Sequence, residues 1–338
     1  MAVSAAAGVI QRALLALLVD GEVHSGERLA DELGVSRAAV WKGIERLRAD
    51  GIEVEAQPRR GYRLPSAVEL LDADRIRAAL GVPRRGALRT LEVLFEVDST
   101  NTRLLGRAPP PPGSADVCLA ELQQAGRGRR GRPWIAPFGA SLAMSVGWSF
   151  RDAPRALPAL SLAVGVAVSR GLARVGAHGI GLKWPNDIWL GERKVSGILI
   201  DLRAEADGPA FVVIGIGINV ALSAAARAAI EASGVKAAAV ADACDAAPSR
   251  NATAGAVLDE LLSMLGEFER NGFAPFQPAW TALDVLRGRT AVVLIGDERL
   301  VGTAQGIDRD GALKMDIGGI ERRFVSGEVS LRPAGDSV

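Results

Sequence analysis

The stretch Gln123-Gln124-Ala125-Gly126-Arg127-Gly128-Arg129-Arg130-Gly131-Arg132-Pro133-Trp134 constrains the fold more than any other part of the chain. Gly126 to Gly131 satisfies the spacing G-x-G-x-x-G, and the preceding Val117 to Leu122 reads as a strand, the setting of a dinucleotide fingerprint. Such a fingerprint must open a helix whose N-terminus receives a pyrophosphate, yet Pro133 and Pro137 follow at once. The next element is instead a strand, with Leu142, Met144, Val146, Trp148 and Phe150 alternating with Ala143, Ser145, Gly147 and Ser149. A nicotinamide-binding doubly wound fold is thereby rejected in favour of strand, loop, strand. The arginines of the loop, spaced by glycines, predict a segment that is mobile when empty and closes over a polyphosphate through backbone N–H groups and guanidinium forks. Taken alone, the segment also fits a solvated loop or an RNA-binding tract. No G-x-x-x-x-G-K-[ST] occurs in the chain to supply the usual phosphate cradle.

At 338 residues the chain has room for two or three domains of roughly 150 residues each. Hydrophobic residues make up 49% and charged residues 23%, the composition of a globular protein. A formal charge of +1 leaves no global field toward nucleic acid or anionic membranes, so any basic surface must be local. Cys118 and Cys244 are too few for a disulfide framework, and with only His24 and His178 beside them a structural zinc is not expected. Leu14 to Val19, bracketed by Arg12 and Asp20, reads as an amphipathic helix rather than a leader. The uncharged runs Pro133 to Phe150 and Gly208 to Ala226 are interrupted by Gly, Ser, Pro or Asn, so no membrane segment is expected and a reducing cytoplasm is.

From Ser25 onward Leu29, Leu33, Val35, Val40, Ile44 and Leu47 give two short apolar helical faces separated by Gly34, with Ser36 placed to cap the second. This predicts a helix-turn-helix in which Arg37, Ala38, Trp41 and Lys42 project from the exposed start of the second helix, where base edges are read. Ile52 to Ala56 and Tyr62 to Leu64, joined by Gln57-Pro58-Arg59-Arg60-Gly61, read as a β-hairpin wing. The first 65 residues carry nine basic and nine acidic side chains, but Ser36 to Arg48 sets four cations against Glu45 alone, and the wing adds Arg59, Arg60 and Arg63. A small helical domain used for protein contacts is the competing reading.

Pro65-Ser66 reads as a linker, followed by a helix from Asp72 through Leu80 and a strand over Val93 to Val97. Ser99-Thr100-Asn101 at the strand's end suits either a polar uncharged ligand or a helix cap. Beyond a helix from Pro154 to Val175 come Lys183-Trp184-Pro185-Asn186-Asp187, then Arg193 to Ile200 with a strand from Ser196 to Leu202, which bring Lys183 and Lys194 to one region of a sheet. Phe211 to Ile214 reads as a strand running into Gly215-Ile216-Gly217-Ile218-Asn219. Val257 to Phe268 carries the spacing of a helix ended by Gly272, and short strands from Leu286 onward predict a small β-barrel.

In this order and spacing, Ser25 to Pro65, the GRGRRG loop, KWPND, RKxxGIL and GIGIN resemble the bifunctional biotin protein ligase and biotin-operon repressor family of bacteria, from about Ile10 to Arg332. The resemblance implies an α+β multidomain protein: a winged helix-turn-helix over 1–65, a central mixed α/β ligase domain with a large sheet over 66–285, and an SH3-like barrel over 286–338. It implies ATP-dependent formation of biotinyl-5'-adenylate and transfer of biotin to a lysine of the biotin carboxyl carrier protein of acetyl-CoA carboxylase. Ser99, Thr100, Asn101 and Gln123, with the backbone around Arg127 and Gly128, would hold biotin. Arg129 and Lys194 would lie between the carboxylate and the α-phosphate. Arg130, Arg132, Lys183, Asn186 and Asn219, together with Arg332, would serve the nucleotide, Trp134 would meet the adenine, and Asp187 is the candidate ligand for Mg2+ otherwise held by ATP. The adenylate would act as corepressor, driving a homodimer onto operator DNA through Ser36, Arg37, Ala38, Trp41, Lys42, Arg59 and Arg60. One departure stands out: Val220 to Val235 has no tryptophan, where the family's adenine-covering loop often ends in an aromatic cluster. A ligand-sensing transcription factor without catalysis and a lipoate-ligase-like enzyme are the competing functions.

Overall fold

Leu14, Leu15 and Leu18 recur along one side of helix α1 (Ala2–Leu18) and are buried against Leu29 of α2 (Gly26–Leu33) and Val40, Ile44 and Leu47 of α3 (Arg37–Ala49). The computed structural model that gives this packing describes residues 2–152, 154–204, 209–295, 298–325 and 330–333. It divides into one unit of Met1–Leu71 with Pro137–Gly139, and a second of Asp72–Ala136 with Ala140–Val338. In the first unit the caps sit where the sequence asks for them. The Ser25 and Ser36 hydroxyls accept from Arg28 N and Ala39 N, and Gly34 takes the left-handed conformation between the helices. A Cβ on Gly43 would overlap Leu14, so α1 and α3 approach closely only because that position is bare. Strands β1 (Glu55–Gln57) and β2 (Gly61–Arg63) pair antiparallel as the wing, with Arg59 left-handed at φ 63° in its turn.

The second unit opens with two short helices, α4 (Ala73–Ala78) and α5 (Val82–Ala87). The first is shorter than expected; the second, six residues long with Pro83 in its first turn, was not foreseen. Then follow β3 (Leu88–Val97), α6 (Thr100–Leu105), β4 (Ala115–Gln123), β5 (Ser141–Phe150), α7 (Leu160–Arg174), β6 (Ile180–Lys183), β7 (Asp187–Leu190), β8 (Arg193–Ala204) and β9 (Ala210–Asn219). The strands form one mixed sheet in the order β3-β4-β5-β9-β8-β7-β6, parallel only between β3 and β4. After β9 come α8 (Ala224–Glu231), α9 (Arg250–Asn271) and α10 (Gln277–Leu283).

One face of the sheet is the core. Leu142, Val146 and Phe150 of β5 and Ile214 and Ile218 of β9 are fully buried on the side covered by α7 and α9. At Gly171 a side chain would run into Val257, so the two helices touch backbone to backbone. Residues 157–174 have the length and mean hydropathy of a membrane crossing, but 67% of that window is buried inside the protein. Beneath the sheet Arg250 pairs with Glu121 at 2.9 Å and donates to the Ser141 carbonyl at 2.9 Å, both side chains about 95% buried. The last strands, β10 (Thr290–Ile295), β11 (Glu298–Ile307), β12 (Leu313–Ile317), β13 (Ile320–Phe324) and β14 (Ser330–Pro333), form an antiparallel sheet ordered β13-β12-β11-β10-β14. Its turn at Gly311 accepts a 3.0 Å hydrogen bond from the buried Trp184 indole.

Two expectations shift. The glycine-rich segment after Ile214 stays in the strand: β9 runs to Asn219, since β5 and β8 supply ladder partners along its whole length. The helix expected from Pro154 begins at Leu160, after a single 3₁₀ turn over Leu157–Ala159.

Candidate active site

The other face of the sheet is paved with small residues. Ala143 and Ser145 of β5 lie across from Gly217 and Gly215 of β9, and Gly197 of β8 lies across from Gly217 on the far side. A Cβ on Gly215 would overlap the Asn101 side chain, and one on Gly217 would overlap the Trp134 ring. The alternate glycines therefore leave room for an asparagine and a tryptophan to lie flat on the strands. Above this floor opens a cavity of about 1230 Å³. Every residue assigned from sequence to biotin or nucleotide whose side chain is described lines it. Arg332 lies on β14 opposite Val292, and its side chain is outside the described residues.

At one end of the cavity is a polar cluster in which Ser99, Thr100, Asn101 and Ser145 are buried and Gln123 and Asp201 half-buried. Ser99 caps α6, and Gln123 at the end of β4 accepts from Thr100 through both its backbone N–H, at 2.9 Å, and its hydroxyl, at 3.1 Å. Ser145 reaches the Thr100 hydroxyl at 2.7 Å and the Asn101 Oδ1 at 2.5 Å, while Asn101 Nδ2 donates to Asp201 at 2.8 Å. The Ser-Thr-Asn segment is thus both helix start and cavity wall. Ser145 and Asp201 were not foreseen.

The glycine-arginine loop forms the lid side. It is internally bonded as it stands: Gly128 N donates to Arg132 O at 2.7 Å and Trp134 N to Gly126 O at 2.9 Å, while Arg130 is left-handed at φ 58° and Gly131 at 72°. Arg129 turns inward and donates to Asn186 Oδ1 at 3.1 Å, and Asn186 donates in turn to the Ile198 carbonyl at 2.6 Å. Burial pushes the Arg129 guanidinium below its ordinary value, Asp187 opposes this, and Arg130 and Arg132 reinforce it.

Facing the loop, Lys194 Nζ sits 2.7 Å from Asp187 Oδ1 and 5.6 Å from the Trp134 ring centre. Lys183 Nζ lies 3.9 Å over the Trp189 ring. Asn219 is buried, and its amide donates to the Ala238 carbonyl at 3.1 Å, so it holds the outer wall against β9. Asn219 Oδ1 and Trp134 Nε1 are buried without a protein partner, which leaves an acceptor and a donor for a ligand. Along the outer wall Lys194 exchanges backbone hydrogen bonds with Lys236 and Ala238, so Ile230 and Val235 bring aliphatic rather than aromatic side chains to the cavity. Glu192 and Arg289, paired at 2.6 Å, stand at the mouth. Among the described residues no cluster of three His, Cys, Asp or Glu could hold a metal ion by itself.

In the first unit, Arg37, Ala38 and Lys42 are exposed on α3, and Trp41 beside them is 54% exposed. Ser36 is the helix cap, and Arg59 and Arg60 are exposed at the wing tip. Arg63, counted among the wing cations, instead pairs with Glu55 across the hairpin at 2.6 Å.

Residues 94–219 match the Biotin/lipoate A/B protein ligase family, residues 10–63 an HTH domain, and residues 288–332 the Biotin protein ligase C terminal domain. The chain is 40% identical to the "Bifunctional ligase/repressor BirA" of Escherichia coli over 95% of this chain and 97% of that one. It is 39% identical to the "Biotin--[acetyl-CoA-carboxylase] ligase" of Mycobacterium tuberculosis over 68% and 85%. The biotin protein ligase of Aquifex aeolicus, solved with biotin and ATP, superposes with a TM-score of 0.59 at 26% identity, over 73% of this chain and 99% of that one. With a match of this extent to a two-function relative and all three of its modules in order, the chain belongs to the family of bacterial bifunctional biotin protein ligases and repressors.

Proposed function

We propose that this protein activates biotin with ATP and transfers it to a lysine of the biotin carboxyl carrier protein, and that its N-terminal unit makes it a biotin-responsive repressor. One observation carries the ligase reading: the inward Arg129 and the Lys194–Asp187 pair converge over the same floor as the polar Thr100-Gln123-Asn101 cluster. A neutral hydrogen-bonding end suits a ureido ring, and a cationic end suits the place where a carboxylate meets a phosphate.

In the first step a biotin carboxylate oxygen bonds to the α-phosphorus of ATP and the bond to the β-phosphate oxygen breaks, releasing pyrophosphate. Lys194 and Arg129 offset the repulsion of two anions, and Arg130, Arg132 and Lys183 receive the departing charge. The carboxylate is already ionised, so no general base is needed, which fits a cavity lined without histidine. In the second step the neutral amine of the acceptor lysine attacks the acyl carbon, the bond to the AMP oxygen breaks and AMP leaves, with the amine's proton passing to water. Mg2+ would be held by Asp187 and the ATP oxygens, where it would neutralise phosphate charge. A ligand sensor without catalysis would have no use for so many cations.

For repression, the adenylate acts as corepressor. Beyond Ile198 the outer edge of β8 pairs with no strand of the sheet among the described residues, and Leu202 there is 52% exposed. Two such edges joining would give an adenylate-bound homodimer and present two recognition helices to a palindromic operator. We place the protein in the cytoplasm, where the free Cys118 and Cys244 stay reduced. Biotin-dependent pyrophosphate release from ATP tests the ligase. Gel shifts on the biotin-synthesis operator test the repressor: affinity should rise with biotin and ATP, and Arg37→Ala with Arg59→Ala should flatten its salt dependence. Equal operator affinity with and without ligand would remove the repressor half.

A further inference from the structure

Asp201 lies on β8 opposite Val213 of β9, on the floor side of the sheet, and no motif contains it. Its Oδ2 accepts from Asn101 Nδ2 at 2.8 Å and stands 3.6 Å from Arg127 Nη2, the first cation of the loop. Asn101 is buried, and its other amide end accepts from Ser145, so its orientation is fixed by what Asp201 accepts. One carboxylate oxygen thus joins the neutral end of the cavity to the start of the lid. We propose, resting on the ligase reading, that Asp201 is a positioning residue with two separable tasks: it aligns Asn101 within the biotin-reading cluster, and it tethers the loop closed through Arg127.

The chemistry of substitution separates the tasks. Asp201→Asn retains an oxygen to accept from Asn101 but carries no charge for Arg127. Asp201→Ala removes both and leaves a buried amide without its acceptor. The tether is half-exposed, so its loss should speed escape of the adenylate about two- to fivefold, read as biotin attached to serum albumin added to the reaction. Asp201→Asn should show that leak with the KM for biotin in pyrophosphate release changed by less than about twofold. Asp201→Ala should leak and also raise that KM about tenfold or more. Arg127→Gln should reproduce the Asp201→Asn leak, the two together should leak no more than either alone, and the difference from wild type should shrink at high salt.

Leaks that multiply in the double variant, or an Asp201→Asn protein that leaks no more than wild type, overturn the tether. An unchanged KM in a folded Asp201→Ala protein overturns the alignment of Asn101. Should Asp201→Ala fail to fold, Asp201→Leu, which fills the volume without an acceptor, takes its place. A wild-type protein that releases no pyrophosphate overturns the ligase reading and this one with it, whereas wild-type turnover matched by every variant overturns this one alone.

Discussion

Replacing Lys194 by alanine removes the cation that faces the loop across the cavity and deprives the Asp187 carboxylate, 2.7 Å away, of its ion-pair partner. Two unit charges about 4 Å apart interact by about 4 kcal/mol at an effective dielectric of about 20. Loss of one such preorganised contact to a developing charge typically costs about 3 to 4 kcal/mol of barrier. The expected result is a fall of two to three orders of magnitude in pyrophosphate release. Biotin affinity by calorimetry should fall far less, because the neutral cluster around Thr100 and Gln123 is untouched. Adding Asp187→Asn to the Lys194→Ala protein also removes the carboxylate assigned to Mg2+, so the rate should not recover and should fall further. Recovery of the rate in the double variant would show that Asp187 serves only to pair with Lys194. An unchanged rate in the single variant, or a loss of biotin affinity as large as the loss of rate, refutes the placement of Lys194 at the reacting atoms.

Arg129→Gly removes the guanidinium that reaches Asn186 and should release adenylate early, measured as increased labelling of albumin; no increase argues against a role in retention. Gly217→Ala puts a methyl into the Trp134 ring, so the indole must lift from the floor at about 1 to 3 kcal/mol; ATP binding by calorimetry should weaken while the cooperative thermal transition persists. Arg250→Met strands the Glu121 charge beneath the sheet and should cost about 3 to 5 kcal/mol in urea unfolding, most of it recovered by adding Glu121→Leu. Burial pushes the Cys118 thiol up to about 12, so native protein at neutral pH should leave it unalkylated by iodoacetamide, with modification found only at Cys244 by peptide mapping.

The parts of the fold legible in the sequence are those whose signal is local. Ser25, Gly34 and Ser36 punctuate the N-terminal helices by capping chemistry that acts within four residues, and each sits where that chemistry requires. The proline after the GRGRRG loop excluded a helix there, and the structure has strand, loop, strand. Lys183, Asn186, Asp187 and Lys194 stand at strand ends beside turns, where polar residues are conspicuous. Ser145 and Asp201 were illegible for the opposite reason: each sits mid-strand in an ordinary alternating pattern, and only pairing across β5, β9 and β8 brings them to Asn101. The Gly215 and Gly217 spacing of two did carry a readable signal, a bare strip on one strand face, but what lies on it depends on α6 and the loop. Arg63 misled because its partner, Glu55, comes from the opposite strand of the hairpin.

Acyl transfer from an adenylate made in this cavity is read from the intact mass of the carrier domain of acetyl-CoA carboxylase after incubation with this protein, ATP, Mg2+ and biotin. The expected result is a gain of one biotinyl group at the carrier's acceptor lysine that depends on ATP and is lost with Lys194→Ala. A carrier whose mass stays unchanged while the wild-type protein is folded and binds biotin would contradict it.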